Sequence, residues 1–190
     1  SHGKLLKQMW GMGIRDKKLL CIVKQMLKAQ VVLPDGTRIT PTKGTPQGGI
    51  LSPLLSNIVL NELDWWVTSQ WEEMPTHYDY KTRQNVRGTD IKSHTYRALR
   101  RSNLKEMYIV RYADDFKIFC RSRQDAEKAF EATRLWLKDR LGLEISPEKS
   151  KVINLKQRYS EFLGFKMKVY PKGKNYVVCS HMSDKAVNHA

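Results

Sequence analysis

The sequence predicts an α+β fold, a small antiparallel sheet backed by helices. Three observations carry that reading. Apolar residues recur at helical spacing before residue 72 and again after residue 122. Between them, Met107 to Arg111 and Phe116 to Cys120 read as two strands around a tight turn. The chain has 190 residues and is 41% hydrophobic, enough for one core and against wholesale disorder.

The elements follow in order. Residues 4–12 and 16–29 read as helices around Gly13. In the second, Leu19, Leu20, Val23, Met26 and Leu27 share a stripe among lysines. Asp16 stands where an N-cap belongs. Val31 to Leu33 and Arg38-Ile39 flank Pro34-Asp35-Gly36, a strand–turn–strand pattern. A Gly-rich loop, Lys43 to Gly49, runs into Ser52-Pro53, a suitable N-cap and first helical residue. The helix that follows carries Leu54, Leu55, Ile58, Val59, Leu63, Trp66 and Val67, and ends near Trp71. Residues 72–105 have weak periodicity and many cations, which predicts a long basic insertion with a short helix around 94–102. It is either a solvated loop or a nucleic-acid contact. Residues 123–141 form an amphipathic helix closed by Gly142. Short strands are expected near 151–155, 161–169 and 175–179.

Charge bounds the partners. Thirty-four Lys and Arg face nineteen Asp and Glu, a net +15. A folded domain this basic meets a polyanion, with nucleic acid first in line, or simply has a basic soluble surface. Cys21, Cys120 and Cys179 are scattered and odd in number, against a disulfide framework or a zinc site. Their apolar neighbours predict buried thiols. No run has the length of a membrane span, so no membrane partner is expected.

Chemistry concentrates at Tyr112-Ala113-Asp114-Asp115. Adjacent carboxylates at a hairpin turn supply the hard oxygen ligands that Mg²⁺ takes. An Asp-Asp pair is also simply a good turn former. In the Gly-rich loop, Gly48 and Gly49 let backbone approach a ligand, and Gln47 offers an uncharged donor and acceptor. Lys149 is placed to neutralise or protonate a leaving group, with Lys151 as competitor, and either is also an ordinary surface lysine. Phe162-Leu163-Gly164-Phe165 sets two aromatics around Leu163 and Gly164; most such strings are strand core, and Phe162 is read so. Arg111 either orients a carboxylate, meets phosphate or is a surface arginine.

Four blocks in order resemble the group II intron-encoded (maturase-type) reverse transcriptases: Gly44 to Ile58, Arg111 to Phe116, Leu141 to Lys151 and Phe162 to Phe165. The resemblance runs from about residue 2 to 170. It implies a polymerase right-hand palm over 1–180, with 181–190 as the start of a thumb or a disordered tail. It implies Asp114 and Asp115 as metal ligands and catalytic residues for Mg²⁺, with Mn²⁺ as substitute, and Lys149 as a third catalytic residue. Pro46, Gln47, Gly48, Tyr112 and Ala113 would meet nucleotide and template, Ala113 leaving space for them. Phe162, Leu163 and Gly164 would form the primer grip.

The same resemblance implies RNA-directed DNA synthesis from deoxynucleoside triphosphates on an RNA template and DNA primer. It also implies intron RNA as a partner and a cytoplasmic ribonucleoprotein; the oligomeric state is left open by the sequence, a homodimer through a helical face being one option. The other reading is an RNA-binding splicing cofactor without polymerase activity of its own. The family's first catalytic Asp is expected just before Ser1, after the fingers segments, since neither Asp16 nor Asp35 lies on a suitable strand. With two carboxylates of three, this chain alone is expected to hold magnesium weakly.

Overall fold

The computed structural model describes residues 1–42, 44, 50–80 and 83–187. α1 (His2–Gly11) and α2 (Lys17–Leu27) form where the periodicity places them. Asp16 does cap α2: its Oδ1 accepts from the Lys18 and Leu19 amides at 2.7 and 3.2 Å. β1 (Val31–Val32) and β2 (Arg38–Ile39) pair antiparallel around the Pro34-Asp35-Gly36 turn. α3 (Ser52–Ser69) starts one residue earlier than read: Leu51, not Ser52, holds the cap position.

α3 organises the interior. Its Leu55 and Ile58 join Leu5, Met9, Val23 and Leu27 of α1 and α2 in one apolar cluster. Its Leu60, Leu63 and Val67 join Leu137 and Leu141 in a second. One stripe therefore serves two cores, because an 18-residue helix is long enough to present different neighbours along its length. Leu54, expected on that stripe, is exposed.

The basic stretch is more ordered than a loop. It holds a hairpin, β3 (Arg83–Gln84) with β4 (Asp90–Ile91), and α4 (Ser93–Arg100). Asn85 makes the hairpin turn, its Oδ1 accepting from the Arg87 and Thr89 amides at 2.9 Å each. The end of the stretch is pinned by a polar chain. The buried Trp71 Nε1 donates to Tyr108 Oη at 3.3 Å, and that hydroxyl donates to Glu106 Oε1 at 3.0 Å. Glu106 also pairs with Arg100 at 2.9 Å and Arg121 at 3.4 Å. Those cations hold its carboxyl below the usual range against the opposing pull of burial.

β5 (Met107–Tyr112) and β6 (Asp115–Cys120) form the central ribbon, packed on α3 and on α5 (Arg123–Trp136). α5 continues as a π-helical turn, Leu137–Leu141, which places Leu137 and Leu141 in the second core. Gly142 closes it at φ 64°, its amide donating to the Lys138 carbonyl at 3.0 Å. A Cβ there would touch nothing within 4 Å, so Gly142→Ala meets backbone strain alone. It is expected to cost about 1 kcal/mol, seen as a lower urea midpoint with unchanged slope.

β7 (Ser160–Phe162), β8 (Phe165–Lys172) and β9 (Asn175–Met182) make a three-stranded antiparallel sheet, followed by the short α6 (Asp184–Val187). Among the described residues the strands thus form four separate antiparallel sheets, not one. Residues 151–155 form no strand. Val169 donates one amide bond to the Leu155 carbonyl at 2.9 Å, but the Asn154 carbonyl takes the Gln157 and Arg158 amides and turns the chain away. The cysteine expectation also needs correcting: Cys21 and Cys179 are exposed, and only Cys120 is partly buried. Burial pushes the Cys120 thiol up to about 11. Among the described residues no helix is long and apolar enough to cross a membrane.

Candidate active site

The site is built on the β5–β6 ribbon. Its register pairs Arg111 with Phe116 and Tyr112 with Asp115, leaving Ala113 and Asp114 as a two-residue turn. Such turns need a left-handed residue to match strand twist. Here Ala113 supplies it at φ 53°, a conformation that costs a non-glycine residue about 1–2 kcal/mol. Asp114 and Asp115 both lie at this end of the ribbon and both are exposed.

Strand alternation sorts the neighbours. Met107, Ile109, Phe116 and Ile118 pack against the second core. Arg111 continues that side and reaches α3. Its Nε donates to Asp64 Oδ1 at 2.8 Å and Nη2 to Asp64 Oδ2 at 2.6 Å. Its Nη1 donates to Asn57 Oδ1 and to the Ala113 carbonyl, each at 2.7 Å. The Asp64 hydrogen bond raises the Arg111 guanidinium above its already high usual value. Of the sequence alternatives for Arg111, the surface arginine is excluded: its side chain is 12% exposed. Asp64 and Asn57 were not singled out by sequence reasoning. Their only signal is spacing, since positions seven apart on a helix share one face.

Arg111 is committed to α3, so its charge is engaged by Asp64 rather than by the two carboxylates. Among the described residues, neither the Asp114 nor the Asp115 side chain has a hydrogen-bond or ion-pair partner, in a chain with 34 Lys and Arg. Exposed, unpaired carboxylate oxygens are the donor set a hard divalent cation takes, so the pair fits magnesium. No group of three or more His, Cys, Asp or Glu side chains able to hold a metal occurs among the described residues, so no third such side chain joins the pair there.

The other expected residues lie elsewhere. Lys149 is exposed in the turn at residues 147–149, which the Ser150 amide closes onto the Ser146 carbonyl at 2.9 Å. Residues 150–155 directly after it form no strand, and no hydrogen bond or ion pair links it to the Asp114–Asp115 turn. Leu163 and Gly164 form the β7–β8 turn at φ 51° and 78°, between the paired Phe162 and Phe165. The Ser183 amide donates to the Gly164 carbonyl at 2.7 Å, fixing that turn to the end of β9. Pro46, Gln47 and Gly48 lie outside the described residues. His2 Nε2 meets the Gly44 carbonyl at 2.8 Å, tying α1 to the start of that loop.

Residues 1–167 match the family described as reverse transcriptase (RNA-dependent DNA polymerase). Among curated proteins, the chain is 28% identical to the putative COX1/OXI3 intron 2 protein of Saccharomyces cerevisiae, over 92% of this chain and 24% of that protein. It is 30% identical to the group II intron-encoded protein LtrA of Lactococcus lactis subsp. cremoris, over 84% of this chain and 31% of that one. It is 29% identical to protein YkfC of Escherichia coli, over the whole of this chain and 49% of that one. The chain therefore spans between about a quarter and a half of these relatives.

Proposed function

Because the chain belongs to the reverse transcriptase (RNA-dependent DNA polymerase) family, we propose that it is the right-hand palm of a group II intron-type enzyme that copies RNA into DNA. One observation carries the reading: two exposed carboxylates at the end of a packed hairpin, without a cation partner among the described residues. Asp114 and Asp115 would hold magnesium, with manganese as substitute. When bound, the metal supplies charge neutralisation at the attacking primer hydroxyl and the departing pyrophosphate, in the two-metal manner.

The remaining roles belong to this chain's own groups. Ala113 carries no side chain beyond Cβ and leaves room for the nascent pair beside Tyr112. Pro46, Gln47 and Gly48, outside the described residues, are assigned to nucleotide and template by their place in the family's block alone. Lys149, exposed and free of an acidic partner among the described residues, neutralises or protonates the pyrophosphate. The Phe162-Leu163-Gly164 turn holds the primer end, its backbone already fixed by Ser183. Template RNA, DNA primer, deoxynucleoside triphosphates and intron RNA are the proposed partners, within a cytoplasmic ribonucleoprotein, with a second copy through a helical face as a further one.

The test is primer extension on an RNA template by the intact protein. A template-length DNA product that requires Mg²⁺ or Mn²⁺ and disappears with a chelator is expected. No extension with either ion, or extension that survives chelation, would sink the reading.

A second reading, RNA binding in support of splicing, has its own observation. Arg87, Arg97, Arg101 and Lys105 are exposed, and among the described residues none has an acidic partner. They sit in the same ordered insertion as β3, β4 and α4.

A further inference from the structure

We infer that Arg111 is a positioning residue for the metal site, fixing the Asp114 carboxylate to α3 through Asp64 and Asn57. The inference rests on the metal reading of Asp114 and Asp115 and deepens it. Three acceptors converge on one guanidinium: the Asp64 carboxylate, the Asn57 amide oxygen and the Ala113 carbonyl. The last of these matters most. The Ala113 carbonyl belongs to the peptide plane that leads into Asp114, and a peptide plane moves as a unit. Holding that oxygen at 2.7 Å therefore fixes where the Asp114 side chain starts.

The turn needs such a hold. Ala113 sits in a left-handed conformation that an L residue leaves readily unless neighbours over-determine it. Asp64 and Asn57 are reliable references because α3 contributes Leu55, Ile58, Leu60, Leu63 and Val67 to two buried clusters. An arginine is required for geometric reasons. Its planar fork reaches three acceptors at once, whereas a lysine offers one compact donor group. The Arg111 charge is meanwhile engaged by Asp64, so it leaves the metal carboxylates unpaired.

The experiment measures Mn²⁺ affinity and steady-state extension kinetics in the full-length protein. Arg111→Lys is expected to weaken Mn²⁺ binding about tenfold, as loss of a group that orients a ligand does. It is expected to lower kcat by up to about a hundredfold while the KM for nucleotide holds. Asp64→Asn should fall between it and wild type, and adding it to Arg111→Met should cost nothing further, because the two act as one unit. A brace that is merely structural would lower the melting temperature and leave the Mn²⁺ affinity of the folded protein unchanged. Should the Arg111 variants fail to fold, Asn57→Ala removes a single bond and carries the same test with a smaller shift. Asp114→Asn separates the two ideas. If it binds Mn²⁺ as wild type does, the metal reading falls and the inference with it. If it loses Mn²⁺ while Arg111→Lys and Asp64→Asn keep wild-type affinity, the positioning role alone is overturned.

Discussion

Asp114→Ala in the intact protein is expected to reduce primer extension on RNA by about a thousandfold or more, the scale of losing a group central to the chemistry. The structural basis is specific. Asp114 is exposed, lies in the ribbon turn and has no side-chain partner among the described residues, so its removal takes nothing from the fold. Stability should stay within about 0.5 kcal/mol of wild type, as for surface positions away from caps and cores. RNA affinity should also persist and weaken as salt rises, since it comes from counterion release at the basic surface. Extension and a filter-binding assay on the same preparation check both halves. Wild-type extension by the variant would refute the polymerase reading. Extension lost with binding kept would mean that copying and RNA binding occupy different surfaces of one protein. Extension and binding lost together would point to Asp114 as part of an RNA contact.

Trp71→Ala is expected to cost about 3–5 kcal/mol, the largest loss of stability from a single truncation among the described residues. Trp71 is 0% exposed and has the greatest volume of any fully buried side chain among the described residues. Its removal leaves a cavity and also breaks the polar chain through Tyr108 and Glu106 to Arg100. Urea unfolding gives the magnitude. Trp71→Phe keeps much of the volume but loses part of the ring as well as the indole N–H, so it should cost less, about 1–3 kcal/mol. A loss below that for Trp71→Ala would mean the residue is not packed as described. Limited proteolysis adds a local check: cleavage in the 83–91 hairpin should speed up in Trp71→Ala, because the end of that stretch loses its anchor.

Long-range pairing separates what the sequence made legible from what it did not. The α1, α2, α3 and α5 helices were readable because each carries its own apolar period. The β5–β6 ribbon was readable because Ile109, Phe116 and Ile118 alternate around a turn. The 83–91 hairpin was missed because its strands are two residues each and carry no apolar alternation, although Asn85 and Gly88 were there as turn chemistry. Residues 151–155 misled in the opposite direction. Val152, Ile153 and Leu155 are only partly covered and Asn154 turns the backbone before a strand can pair. The exposed cysteines show a similar limit: apolar neighbours in sequence do not say which face of α2 or β9 a thiol takes. At the site, the carboxylates were legible as adjacent letters. The Arg111–Asp64 pair was not, because its members stand 47 positions apart.

The two-stranded β5–β6 ribbon has a kinetic consequence. A lone hairpin is marginal in water and opens freely. This one has no third strand among the described residues, yet its inner side shares a core with α3 and α5. Its amides therefore open only when those helices loosen, and turn, ribbon and α3 exchange hydrogen as one cooperative unit. The carboxylates stand at the tip of a small element whose lifetime is set by its largest helix.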